Sequence, residues 1–385
     1  MRRVREGTIG IVPAGALGVG FFYHLTERLA RIDGTVFFVE RTGSKSAEAL
    51  RDCGNLRIES EGAIHDVAAG RICRGDLLRA FEDRQLPDVL LVCTNPDQLG
   101  SVQNDYVRLV ERSHAAGEFE AIDLPVLVLC SNGIYFQRQR QLFIERLEES
   151  TLLGRLPDLW PDAMPRIVGH LLRGVTIQTG VRDGVGADAV YHPGPSGITR
   201  LAGGDTWFRE RTAGILCARG GWFEVATHSS ATRLEFDKAI VNLSVNLLGQ
   251  IFAIDEEGRF TPLRVREIVT SEHHPEMREM VAHVLAVGRA VKAYSTADNV
   301  ETLFREMLDT NHQHDDHVPS SLQWVGLRLR HREFEARLTP TEAWLIEPLI
   351  RYAYAAGLNN SAIYFERLRD ELLRKLTLAV RRSRG

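Results

Sequence analysis

Residues Thr8–Gly18 read TIGIVPAGALG, and an apolar stretch with helical spacing, Val19–Leu29, follows directly. A short apolar run, Thr8–Val12, that breaks at Pro13 and resumes as a helix predicts strand, tight turn and helix. In that context a glycine turn holds the pyrophosphate of a dinucleotide. Glycine lets the backbone approach the phosphates, and the helix N-terminus offers partial positive charge. The turn residues Ala14, Gly15, Ala16, Leu17 and Gly18 are therefore candidate cofactor-binding positions. The pattern is PxGxxG, because Pro13 stands where the usual fingerprint has its first glycine.

Working outward, Thr35–Val39, Val89–Cys93 and Val126–Cys130 read as further buried strands separated by helical segments. Strands that alternate with helices predict a parallel, doubly wound sheet, whose ligands bind at the carboxyl ends of the strands. The second strand ends in ERTGSKS, residues 40–46. Glu40 is suited to a ribose 2′-hydroxyl and hence to NAD. Arg41, Ser44 and Lys45 are suited to a 2′-phosphate and hence to NADP. The cationic cluster is the stronger cue, so NADP is the expected cofactor.

The second half reads differently. From Arg233 onward the periodicity is helical, with amphipathic stretches at Asp237–Ile251, Met277–Val291 and Thr341–Ala356. The boundary falls near His228-Ser229-Ser230, giving a Rossmann-like domain over 1–228 and an all-α domain over 229–385. Within EFDKAIVNLSVNLLG, Lys238, Asn242 and Asn246 are spaced four residues apart. Each such step rotates only about 40° around a helix, so the three side chains form one stripe. Their neighbours are apolar, and buried polar groups are costly unless something satisfies them. A polar substrate would do so; a snorkelling lysine with bridging asparagines would also do so.

Composition limits the remaining choices. The chain has 385 residues, 44% hydrophobic and 25% charged, with a net charge of −4. That balance gives no electrostatic case for nucleic acid. No apolar run reaches the roughly 18 residues of a membrane span. The N-terminal MRRVREGTIGIVPAG has a basic and then an apolar part, but its glycines suit a strand and turn better than a signal peptide. Five cysteines, odd in number and without CxxC spacing, fit reduced thiols in a cytoplasm. The run NHQHDDH, residues 311–317, carries imidazoles and carboxylates but no recognised ligand spacing, so no metal is expected.

Taken together these pieces resemble the ketopantoate reductase family, with its 6-phosphogluconate dehydrogenase-like C-terminal domain. AGALG is similar to the family's cofactor loop, and Arg41 falls where the family carries a phosphate-binding arginine. Ser131-Asn132-Gly133 resembles its asparagine–glycine turn, and YHPGPSGITRLAGG, residues 191–204, its glycine-rich hairpin. FDKAIVNLSVN matches its catalytic lysine and two asparagines, and Pro319-Ser320-Ser321-Leu322 its serine motif. The resemblance implies an NADPH-dependent reductase of a small-molecule 2-oxo acid, cytoplasmic, with a homodimer left open. It implies Lys238 as proton donor and Asn132, Asn242, Asn246 and Ser321 as substrate-binding residues, with Asn132 also beside the cofactor.

A downstream glutamate completes the family pattern, and two candidates compete. Glu333 has the expected spacing from Ser321, whereas Glu342 opens an apolar helix after Thr341; Glu342 is favoured. The departures are Pro13, Thr94-Asn95-Pro96 in place of a lysine near the cofactor, and added length at 137–162 and 253–310. Two other readings remain. An opine-type dehydrogenase shares this fold but favours a His–Asp pair. A non-catalytic nucleotide-binding or sensor protein would explain Pro13 and the missing lysine.

Overall fold

The structure is a computed structural model, and it describes residues 7–41, 44–120, 123–184, 186–220, 222–332 and 335–384. The chain forms two compact units, one of Met1–Ser131 with Phe136–Ala231, the other of Asn132–Tyr135 with Thr232–Gly385.

The first unit is built on two sheets. Its strands in chain order are β1 (Ile9–Val12), β2 (Val36–Val39), β3 (Asn55–Ser60), β4 (Ala63–Ala68), β5 (Cys73–Arg74) and β6 (Val89–Val92). They continue as β7 (Val126–Leu129), β8 (Leu171–Thr176), β9 (Gly180–Asp183), β10 (Val190–Pro193), β11 (Thr199–Ala202) and β12 (Phe223–Val225). The main sheet runs β12-β11-β8-β7-β6-β1-β2-β5, and β8 through β5 pair in parallel. Every residue of β1, β2, β6 and β7 is buried, which is why these strands read as continuous apolar runs rather than alternating ones. The chain winds from β1 towards β2 on one side and reaches β6 on the other. That reversal opens a crevice at the carboxyl end of β1, where doubly wound sheets hold their ligands.

A smaller sheet, β4-β3-β10-β9, covers the helix Ala16–Leu25 that follows β1. The approach is close. A Cβ added at Gly180 would overlap the Ala16 carbonyl, and one at Gly20 would lie 3.0 Å from the Thr179 carbonyl. Two details differ from the sequence reading. Residues 191–204 are not one hairpin: β10 pairs with β9 in the small sheet, and β11 pairs with β8 in the main sheet. Gly194 and Gly197 carry the chain across, where any Cβ would strike Thr179 or the Ile177–Gln178 backbone. The first helix also stops at Leu25, because Glu27, Arg28 and Leu29 take φ values of 52°, 56° and 72°.

The second unit is helical. Met277, Met280, Val281 and Val284 form the buried stripe of the helix His274–Ala290. They pack in one core with Leu345, Ile346 and Leu349 of Pro340–Ala355 and with Phe365, Leu372 and Leu376 of Asn359–Arg384. This 3- and 4-residue spacing is what made the segments legible as amphipathic helices. The helix expected to carry the polar stripe is interrupted. It runs as α-helix over Ala231–Asn242, as π-helix over Leu243–Leu247, and as α-helix again over Leu248–Ala253.

Candidate functional site

In the first unit, the turn after β1 is closed at Gly18, where the Pro13 backbone comes close. A Cβ at Gly18 would overlap the Pro13 carbonyl, so glycine is required there. Gly15 is the N-cap in extended conformation, and its carbonyl accepts from Val19 N at 2.8 Å. Gly15, Ala16 and Leu17 stay partly exposed. The first turn carries no acidic residue and the cap no side-chain bond, so its orphan N–H groups remain open to an anion. Tyr191 Oη donates to Ala14 O at 2.9 Å and ties β10 to the same turn.

A small groove lies beside this turn, lined by Pro13, Ala14, Phe38, Val39, Glu40, Ser44, Leu50 and Cys73. It is mostly apolar. Burial pushes the Cys73 thiol up to about 11, which leaves it a neutral wall of the groove. At the rim, Glu40 is paired with Arg51 at 3.2 Å. Arg41 instead donates to Ser101 Oγ at 2.6 Å and Gln98 Oε1 at 3.3 Å, with no carboxylate in ion-pair range among the described residues. Ser44 caps the helix Lys45–Cys53 and is buried. Thr94, just past β6, is buried, and its hydroxyl has no partner among the described residues.

In the second unit, the predicted residues come together along one helix and its neighbours. Asn246 Nδ2 donates to Asn242 Oδ1 at 3.5 Å, and Ser321 N donates to Asn246 Oδ1 at 3.4 Å. Ser321 Oγ donates to Glu342 Oε1 at 2.6 Å. Ser321 sits in the first turn of the helix Ser320–Arg330, and Glu342 in the first turn of Pro340–Ala355. Glu342 is fully buried, and burial holds its carboxyl above the usual carboxylate range. Glu333, the competing candidate, lies outside the described residues.

Lys238 precedes Asn242 by one turn and keeps part of its surface open. Its ammonium has no hydrogen bond or counter-charge among the described residues. The crowding of protein around it brings its pKa down from 10.5 to about 8, by desolvation alone. Asn132 begins the short turn that belongs to this unit. That turn is docked by Ile134 N donating to Trp344 O at 2.9 Å and Tyr135 N donating to Glu235 Oε1 at 3.2 Å. Glu235 and Trp344 are on the helices that carry Lys238 and Glu342. Gly133 takes φ 130°, and a Cβ there would meet Trp344 Cβ at 2.8 Å, so the glycine after Asn132 is needed for this docking.

Three features were not read from the sequence. The π-helical turn widens the helix while leaving Asn242 and Asn246 adjacent. Such insertions are frequent at functional sites. Gln250 continues the stripe one turn further, and its Nε2 donates to Glu342 Oε1 at 3.1 Å; its four-residue spacing from Asn246 was the available signal. The last turn of the helix Val300–His312, which leads into the loop 313–317, is tied to the π-helix by Asn311 Nδ2 donating to Ser244 Oγ at 3.1 Å. His314 in that loop is close enough to Lys238 that the ammonium, after burial, helps lower its pKa. Among the described residues no group of three or more metal-ligating side chains assembles.

No family model matches the chain, and no curated protein matches it. Solved structures do. A D-mandelate dehydrogenase bound to NADH and anilino(oxo)acetate superposes with a TM-score of 0.66 at 18% identity, covering 96% of this chain and 98% of that one. A 2-dehydropantoate 2-reductase from Porphyromonas gingivalis gives a TM-score of 0.55 at 16% identity, covering 96% and 100%. A dimeric ketopantoate reductase from Staphylococcus aureus gives 0.52 at 12% identity, covering 95% and 99%. The chain thus has the fold of these dehydrogenases over nearly its whole length: a Rossmann-like α/β unit and a helical C-terminal unit.

Proposed function

We propose that the chain is a nicotinamide-dependent reductase of 2-oxo acids, a divergent relative of the ketopantoate reductases. The observation that carries this reading is Lys238: a desolvated ammonium without a counter-charge among the described residues, on one stripe with two buried carboxamides. Asn242 Nδ2 is buried without a partner among the described residues, a donor held ready for a ligand that accepts.

The dinucleotide half fits its group. The Gly18 turn leaves space that any Cβ would fill, and the helix start is free of acidic groups. Ala14, Gly15, Ala16, Leu17 and Gly18 would hold the pyrophosphate, and Asn132 would sit beside the nicotinamide. Arg41, with no carboxylate partner, would hold a 2′-phosphate, and Glu40 is already engaged by Arg51. NADP is the preferred cofactor for that reason. The bound nicotinamide would supply hydride to the carbonyl carbon.

The protein supplies orientation and the proton. Lys238 Nζ places positive charge at the carbonyl oxygen, where negative charge develops, and donates the proton that completes the alcohol. A pKa of about 8 leaves it charged at neutral pH yet close enough to release the proton readily. Asn242 and Asn246 orient the substrate by amide hydrogen bonds, and Ser321 with Glu342 holds its distal end. NADH in the D-mandelate dehydrogenase structure favours NAD as the second cofactor reading. Fluorescence titration with NADPH and NADH, followed by a panel of 2-oxo acids, tests both. Tight cofactor binding without reduction of any oxo acid or imine would instead favour a sensor.

A further inference from the structure

We propose that Arg182 is a further cofactor-binding residue: it reaches from the small sheet to the start of the helix Ala16–Leu25 and holds the pyrophosphate that NADPH and NADH share. The proposal rests on the nicotinamide-dependent reading for its ligand, and on the first unit alone for its geometry.

Its neighbours fix where Arg182 points. Side chains two apart on a strand share a face, and so do directly opposed residues of an antiparallel pair. Gly180 and Arg182 are two apart on β9, and Arg182 is paired with Tyr191 on β10. A Cβ at Gly180 would overlap the Ala16 carbonyl, and Tyr191 Oη donates to Ala14 O at 2.9 Å. The face that carries Arg182 is therefore the one turned to the glycine turn. The direction of β9 gives its place along the helix. Thr179 O lies 3.0 Å from a Cβ at Gly20, and Gly180 meets Ala16. The strand thus runs towards the helix start, and Arg182 lies beyond Ala16, beside the tyrosine that bonds Ala14. There the helix presents its open N–H groups, with no acidic residue in its first turn.

The guanidinium is prepared for an anion. Its carbon lies 5.9 Å from the Tyr191 ring centroid. Its Nε is buried, and Arg182 has no hydrogen-bond or ion-pair partner among the described residues. A covered donor without an acceptor is costly, and phosphate oxygens would satisfy it. The planar fork of arginine matches them in bidentate geometry. The tyrosine ring restrains the guanidinium beforehand, so less freedom is lost on binding. Arg41 and Arg182 then divide the cofactor: Arg41 meets the 2′-phosphate that distinguishes NADPH, and Arg182 the part common to both dinucleotides.

Fluorescence titration of the full chain with NADPH and NADH tests this without turnover. Arg182→Met, which keeps an unbranched stem against Tyr191, should weaken both cofactors alike by about 10- to 100-fold, the range of charged hydrogen bonds. That loss should shrink between about 10 mM and about 500 mM salt, because screening removes the attraction to phosphate. A packing defect would not respond to salt in this way. Arg182→Gln serves if the methionine variant fails to fold. Unchanged affinity in a folded variant, a loss confined to NADPH, or a loss indifferent to salt overturns the proposal and leaves the nicotinamide-dependent reading standing. A wild type that binds neither dinucleotide overturns both. The expected loss without reduction of any 2-oxo acid upholds Arg182 and overturns the reductase reading alone.

Discussion

Replacing Lys238 by methionine should make the protein more stable at pH 7 and inactive. Methionine keeps the flexible unbranched stem and removes the charge. The magnitude follows from the ammonium's desolvation. Its pKa falls from 10.5 to about 8 on folding, with no partner contributing. A drop of about 2.5 units at about 1.36 kcal/mol each is a penalty of up to about 3 kcal/mol on the charged folded form. Lys238 keeps part of its surface open, so about half that value, roughly 1.5 kcal/mol, is the working expectation. The sign is fixed by linkage. The folded state binds this proton more weakly than the unfolded one, so the missing stability is regained as pH rises from about 8 to 10.5. The advantage of Lys238→Met should thus be present at pH 7 and vanish by about pH 10.5. Urea unfolding of wild type and variant, followed by circular dichroism at matched pH, measures it. The difference between the two curves cancels the other titrating groups. The chain has two units, so the midpoint is compared for the transition with the larger helical amplitude. A variant less stable than wild type at pH 7, or a difference that ignores pH, would refute a desolvated, unpaired Lys238.

Gly18→Ala should weaken NADPH binding at least about tenfold and cost about 1–3 kcal/mol of stability, because its Cβ meets the Pro13 backbone carbonyl rather than a side chain that can yield. Fluorescence titration and thermal melts check the two effects separately. Arg41→Met should weaken NADPH by about 10- to 100-fold, the range of charged hydrogen bonds to phosphate, and leave NADH almost unchanged. Equal losses for both cofactors would remove Arg41 from phosphate recognition. For the reductive direction kcat/KM should fall about tenfold per pH unit above about pH 8, as Lys238 loses its proton. Glu342→Gln should match or exceed wild-type stability at pH 7. Its raised pKa means Glu342 contributes fully only below its unfolded value of about 4.5 and loses that contribution as pH rises.

What was legible in the sequence was local. The Gly15–Gly18 turn could be read because a strand, a glycine turn and a helix follow in order, and at Gly18 backbone approach leaves glycine no substitute. The Lys238–Asn242–Asn246 stripe could be read because helical spacing decides which side chains align. Ser321 with Glu342 came from a resemblance and from the helix that Thr341 and Glu342 open; the two meet across helices far apart in sequence, which no local pattern announces. The π-helical turn left no mark, because Leu243–Leu247 has the composition of any buried helix. Gln250 had the right spacing but looks like an ordinary polar residue until Glu342 is beside it. The small sheet was missed for a related reason. It joins β3 to β10 across more than a hundred residues, and non-local pairing has no periodicity to announce it.

The most direct test of the account is NADPH consumption by the full chain with 2-oxo acids, in the wild type, Lys238→Ala and Lys238→Arg. The account predicts substrate-dependent oxidation by the wild type. It predicts kcat lower by about 10²–10⁴ in Lys238→Ala with NADPH affinity unchanged. Lys238→Arg should recover little, since arginine keeps the charge but holds its proton too tightly to donate it. Turnover by Lys238→Ala at the wild-type rate, or a wild type that binds NADPH and reduces no 2-oxo acid, would contradict it.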